Sequence, residues 1–222
     1  INIETQGLQL TDGGQISTDA FGSGNGGNLN IEAKQIDILG ASTTESPSGI
    51  FAEVGKDGTG DGGLIKIETQ GLQLTDGGQI STQALGVGNG GNLEVKAEDI
   101  LISGFINNFP SGLLSSTTSK QGGNINLETK NLRITQGGQI QALTFGDGDA
   151  GNLNIKAESI TISDFVDGGR SGLFTAAITD PNSENNVAVT GNGGKLTVET
   201  DKLTIRDGGT ISASNFSSRN PD

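Results

Sequence analysis

The stretch IETQGLQLTDGGQIST fills Ile3–Thr18 and recurs letter for letter at Ile67–Thr82, 64 positions further on. Aliphatic and polar residues alternate in it, with Ile3 preceded by Ile1, then Leu8 and Leu10, then a Gly-Gly pair and Ile16. Period-two alternation marks a strand with one buried face, and Gly-Gly marks a turn. The phrase therefore reads as three short strands, with a turn in the four-residue gap between the first and second.

Seven segments carry the same apolar-x-apolar, four residues, apolar-x-apolar spacing. They begin at Ile1, Leu29, Ile65, Leu93, Ile125, Leu153 and Leu196. The third strand follows in two styles. Four segments have a Gly-Gly turn before Ile16, Ile80, Ile140 and Ile211 (type A), and three have a longer excursion ending in Ser-Gly before Ile50, Leu113 and Leu173 (type B). The types alternate strictly, and the 64-residue repeat is one A plus one B. The A-to-B step is always 28 residues, whereas the B-to-A step is 36, 32 or 43, so insertions collect in particular loops, including Thr179–Gly194.

No such segment can bury its apolar face alone; stacked as turns of a solenoid, all of them can. The expected fold is all-β, a parallel β-helix or three-strand solenoid of about seven coils of two alternating types. It would be a rod of roughly 34 Å at the interstrand spacing. It forms a single domain over 1–222, with coils starting near 1, 28, 64, 92, 124, 152 and 195, and the opening in mid-pattern at Ile1 reads as a fragment of a longer chain. Glycine in GNGG, QGGN and DAGN corners is expected to supply positive φ. Asn92, Asn124 and Asn152, at one position in three successive coils, are expected to form a side-chain amide ladder.

Composition removes whole chemistries. Among 222 residues there are 38 Gly and no Cys, His, Met, Trp or Tyr. No imidazole base, thiolate nucleophile or ordinary zinc site can be built, and no cofactor is implied. The net charge of −13 argues against nucleic acid as a partner. No 18-residue apolar run exists, so no membrane insertion is expected. KDGTGDGG at Lys56–Gly63 and GDGDAG at Gly146–Gly151 lack the tandem nonapeptide of calcium β-rolls and read as solvated turns, leaving no metal ligands assigned. Polysaccharide-cleaving β-helices need acid and base groups converging on one face. The outward positions bring no carboxylates together, and Lys66 beside Glu94 reads as a surface ion pair. No catalytic residue is assigned, and the chain is expected not to be an enzyme.

The phenylalanines fall into sets. Phe21, Phe145 and Phe216, with Leu85 at the same position, read as stacked residues closing a corner of the core. Phe51, Leu114 and Phe174 follow the inward third-strand aliphatic and should face outward as a surface binding stripe, two coils apart. The competing reading is that the excursions Ser42–Ser48, Phe105–Ser111 and Phe165–Ser171 fold over that stripe, with Phe105 and Phe165 as its cover.

Phrases such as GNGGNLNI, LQLTDGGQIS and SGLFTAA resemble the repeat region of large haemagglutinin-like exoproteins, above all the long cyanobacterial ones exported by two-partner secretion. The resemblance covers essentially the whole chain. It implies a right-handed β-helix, export through an outer-membrane transporter acting on the parent protein, and a secreted or cell-surface location. It brings no catalytic residues with it. The function expected is an adhesin-like extracellular rod for display or reach, its partners cell-surface or matrix glycans and proteins. The alternative is a self-assembling fibre whose partner is a copy of itself, with a polysaccharide-active enzyme behind both.

Overall fold

The computed structural model describes residues 1–40, 47–106, 109–166, 169–178 and 191–216. Every regular element among them is a β-strand. Two parallel sheets run the length of the molecule, each seven rungs deep. The first is built from Asn2–Thr11, Leu29–Leu39, Leu64–Thr75, Asn92–Lys96 with Asp99–Ser103, Ile125–Thr135, Leu153–Ile162 and Leu196–Ile205. The second stacks Gln15–Ser17, Gly49–Phe51, Gln79–Ser81, Gly112–Thr117, Gln139–Thr144, Gly172–Ile178 and Thr210–Phe216. The chain is a parallel β-solenoid, and five of its seven rungs have a neighbour on both sides.

The register places like on like. Ile3, Ile31, Ile67, Val95, Leu127, Ile155 and Val198 form one column. Ile16, Ile50, Ile80, Leu113, Ile140, Leu173 and Ile211 form another. A third runs from Leu8 through Ile36, Leu72, Ile100, Leu132 and Ile160 to Leu203. In the five inner rungs these side chains are at most 4% exposed. Burial of each contributes about 1.5–3 kcal/mol.

The three-strand coil needs correction. The expected first and second strands are one continuous strand in six of the rungs, and only the fourth breaks, between Lys96 and Asp99. Where a turn was expected, the pairing skips a single position, between Thr5↔Ala33 and Gly7↔Gln35 and at the matching place in later rungs. The strand bends there without losing its ladder. In type A coils a threonine reinforces the bend: the hydroxyls of Thr69, Thr129 and Thr200 donate to the carbonyls of Lys34, Glu98 and Glu158 one rung below, at 3.1, 2.9 and 3.2 Å.

Two kinds of glycine corner close each coil. In the TDGG turn, Asp12 and Gly13 have φ of 53° and 81°, and the N–H of Gly14 donates to the Thr11 carbonyl at 2.8 Å, a type I′ turn. Asp76–Gly77, Gln136–Gly137 and Asp207–Gly208 repeat it. The GNGG corners differ from expectation, since none of their glycines has positive φ. Glycine is required there because successive backbones touch. A Cβ at Gly91 would lie 2.2 Å from the carbonyl oxygen of Gly63, and one at Gly123 would lie 1.8 Å from that of Gly91.

The two coil types interlock at the I′ turn. The N–H groups of Gly13, Gly77 and Gly137 donate to the hydroxyls of Ser48, Ser111 and Ser171 in the following B coil, at 3.0, 2.9 and 2.9 Å. All three serines are fully buried. Ser48 and Ser111 donate in turn to the carbonyls of Leu39 and Ser103 in their own coil. The amides of Gln15, Gln79 and Gln139 reach across to the carbonyls of Pro47, Pro110 and Arg170 at 3.0–3.1 Å.

Two outcomes follow. Gly123→Ala should lower stability by about 1–3 kcal/mol through overpacking; Gly22→Ala, with no atom within 4 Å of the added methyl, should leave the thermal midpoint unchanged. Ser111→Ala should cost about 1–3 kcal/mol in denaturant titration, because it strips the buried Gly77 N–H of its acceptor.

Candidate functional site

On the outer face of the short-strand sheet the register aligns Ser17, Phe51, Ser81, Leu114, Gln141, Phe174 and Ser212. Phe51, Leu114 and Phe174 thus lie outside the core, two rungs apart. They do not form an open stripe. Phe51 is 6% and Leu114 5% exposed, and Phe174 is half-buried. The cause is the Ser-Gly signature itself. A Cβ at Gly49 would lie 2.4 Å from Phe51 Cζ, and one at Gly172 would lie 2.7 Å from Phe174 Cζ. Each ring folds back over the glycine of its own strand, Gly49 lying between Gln15 and Gln79 and Gly172 between Gln139 and Thr210 on neighbouring rungs.

The excursions take another course from the one the covering reading gives them. Phe105–Ile106 pairs with Phe109–Pro110, and Phe165–Val166 with Gly169–Arg170, as short antiparallel hairpins. They pack on the Gly-Gly turn: a Cβ at Gly137 would lie 2.8 Å from both Phe105 Cβ and Val166 Cγ2. Phe165 is itself exposed. Most of the first excursion, residues 42–46, lies outside the described residues, as does most of the Thr179–Gly194 insertion.

The corner set is also reversed. Phe21 is 79% and Leu85 41% exposed, and Phe145 is half-buried. Their predecessors Ala20 and Ala84 bridge in register with Val54 and Thr117, so the next residue turns outward. Phe21 rests on Gly55, where a Cβ would meet its Cδ1 at 2.7 Å. The side chain of Phe216 lies outside the described residues. An apolar column therefore runs along this corner through exposed Phe21 and Leu85 to half-buried Phe145, with Val87 also exposed beside Leu85.

Polar columns run along the same axis. Asn92 Oδ1 accepts from the Asn124 backbone N–H at 2.9 Å, Asn124 Oδ1 from that of Asn152 at 2.9 Å, and Asn152 Oδ1 from that of Lys195 at 3.0 Å. Contact between the side-chain amides is limited to Asn124 Nδ2 with Asn92 Oδ1, at 3.4 Å. A second column was missed by sequence reasoning. Asn25 accepts from the Asp61 N–H, Asp61 from Asn89, Asn89 from Gln121, and Asp149 from Asn192, at 2.7–3.3 Å. Its signal was the polar residue before each Gly-Gly or Ala-Gly pair. Asp61 and Asp149, which gave the two loops their calcium-like appearance, serve as rungs of this column. Among the described residues no three His, Cys, Asp or Glu side chains group as metal ligands.

Two carboxylates approach each other beside Phe51. Ser81 donates to Glu53, the Glu53 N–H donates to Asp19 Oδ1 at 2.9 Å, and Ser17 donates to Asp19 Oδ2. Burial raises the Glu53 pKa to about 7, the Ser81 hydrogen bond opposes that rise, and the negative charge of Asp19 adds to it. On the long-strand face Lys66 pairs with Glu68 at 3.0 Å rather than with Glu94, its neighbour in the next rung. Both members are exposed, so the pair contributes little.

Compared with models of known families, with curated proteins and with solved structures, the chain matches none. The geometry offers two surfaces: an exposed apolar corner and ladders of amides already engaged along the axis.

Glu53 gives this region a pH signature. Its folded pKa lies above the value near 4.5 of the unfolded chain, so no stability is lost below that value. As pH rises from about 4.5 to 7 the unfolded chain ionises first, and stability is lost. Glu53→Gln should therefore raise the thermal midpoint at pH 8, by about 1–3 kcal/mol in stability, and leave it unchanged at pH 4.

Proposed function

We propose that the chain is a structural, adhesin-like rod that works outside the cell by display and reach. The observation that carries this reading is the direction of its recurrent polar chemistry. Ser48, Ser111 and Ser171, the glutamines opposite them and both amide columns all bond from coil to coil. Residues of that kind build length. The carboxylates of Asp19 and Glu53 are tied up by Ser17, Ser81 and a backbone amide. The resemblance to haemagglutinin-like exoproteins supports the same reading, with a cell-surface or secreted location and glycans or matrix proteins as partners. The exposed corner residues Phe21 and Leu85 are the contacts assigned to such a partner, because apolar side chains of that size gain from being covered.

The second reading, a fibre of stacked copies, draws on the same coil-to-coil pairing, in which like aliphatic residues stand in register from rung to rung.

Beads coated with the chain should be retained on glycan- or matrix-coated surfaces. Retention should fall several-fold when Phe21 and Leu85 are both replaced by Ser, with the thermal midpoint unchanged. Retention indifferent to that change, or release of unsaturated oligosaccharides from an acidic polysaccharide, would count against the proposal. Rods lengthening with concentration under electron microscopy would favour the fibre.

A further inference from the structure

Asparagine followed by glycine occurs three times in the chain, at Asn25-Gly26, Asn89-Gly90 and Asn192-Gly193, and every instance falls on the second polar column. The pair is chemically fragile in a free chain. Glycine puts no Cβ in the way of its own nitrogen, so that nitrogen can attack the preceding carboxamide. An N–Cγ bond forms and the Cγ–Nδ2 bond breaks. Ammonia leaves with the proton of the glycine N–H, and water then opens the five-membered imide at either carbonyl, giving aspartate or isoaspartate. Water is the only co-reactant.

The stacked coils engage both reacting groups. Asn25 Oδ1 accepts from the Asp61 N–H, and the Gly26 N–H donates to the Asp61 carbonyl, each at 2.9 Å. Asn89 Oδ1 accepts from the Gln121 N–H at 3.3 Å, and the Gly90 N–H donates to the Gln121 carbonyl at 2.9 Å. One residue of the next coil thus grips both the electrophile and the nucleophile. Gly26 and Gly90 are also buried. Ring closure requires both bonds to be released, which means lifting the next coil away from this corner.

The composition of the column gives the reaction a consequence. It runs Asn25, Asp61, Asn89, Gln121, Asp149, Asn192, with no two carboxylates on adjacent rungs. Asn89 Nδ2 donates to Asp61 Oδ1 at 3.1 Å, and Asn192 Nδ2 to Asp149 Oδ1 at 3.0 Å. Conversion of Asn89 to aspartate replaces that donor by a second negative oxygen, one rung from Asp61, and like charges so placed repel. Isoaspartate lengthens the main chain by one methylene and takes the ladder out of register. We propose that Asn25 and Asn89 are latent deamidation sites, each clamped shut by the coil that follows it. A corner that opens there is converted irreversibly to a form that stacks less firmly. The clamp belongs to the stacking and is independent of what the rod binds.

The full chain is incubated at pH 8, folded and in denaturing urea, and aspartate plus isoaspartate at each site is followed by peptide mass spectrometry. Both sites should react about tenfold more slowly, or slower still, in the folded chain, because reaction waits on local opening. Gly123→Ala crowds the Gly91 carbonyl beside the Asn89 corner. It should raise the folded-state rate at Asn89 several-fold and leave Asn25 unchanged. Asn89→Asp should lower the thermal midpoint at pH 7. That deficit should close at pH 3, where the carboxyls are protonated, and in the double variant with Asp61→Asn. Three results would each overturn the proposal: folded and denatured chains reacting alike, both sites equally accelerated by Gly123→Ala in a chain of native circular dichroism, or an Asn89→Asp midpoint equal to the parent's at pH 7.

Discussion

Everything in this rod depends on one distance, the approach of about 4.8 Å between a strand and its parallel neighbour in the next coil. At the GNGG corners that distance applies to main chain with nothing between. A Cβ at Gly151 would lie 1.9 Å from the Gly123 carbonyl oxygen, and one at Gly194 would lie 1.8 Å from that of Gly151. The high glycine content is therefore a packing requirement along the axis. At the I′ turns, and at Gly40 and Gly104, it is a matter of backbone conformation. Once corners can stack this closely, the aliphatic columns fall into register and the core becomes continuous.

The same spacing determines where polar groups can go. A side chain at a corner lies within hydrogen-bond reach of the main chain one rung away, and asparagine, aspartate, serine and glutamine positions use that reach. Their bonds run along the axis and specify order as well as cohesion. The buried serine of a B coil completes the turn of the A coil before it, and the threonine of an A coil completes the bend of the B coil before it. A sequence that alternates these devices makes two unlike interfaces, so coil order is encoded chemically. Ordinary solenoid stacking would tolerate any order.

The columns were legible in the sequence because period-two alternation and constant spacing leave no other register: Ile3 over Ile31 and Ile67 could be written down before any coordinates. The Asn92, Asn124 and Asn152 positions were legible for the same reason. Surface orientation was not. Alternation places Phe51 outside correctly, but it cannot show that Gly49 leaves a hollow into which the ring folds back. Phe21 was assigned to the core because it recurs at a fixed distance from the inward isoleucine. Yet the chain leaves the sheet at Ala20, and past that point alternation no longer relates spacing to direction. The four-residue gap looked like a turn because its residues are polar; a strand that bends with its ladder intact has the same composition.

The most direct test of axial locking is amide exchange in the native chain at Gly77 and Gly137. Both N–H groups sit in a turn, outside the ladder of either sheet, and their only acceptors among the described residues are the serine hydroxyls of the following coil. If the serines of the following coil hold them, they should exchange as slowly as the amides of Ile80 and Ile140 in the adjoining strands. Exchange at the rate of an open turn, with those strand amides still protected, would contradict the account.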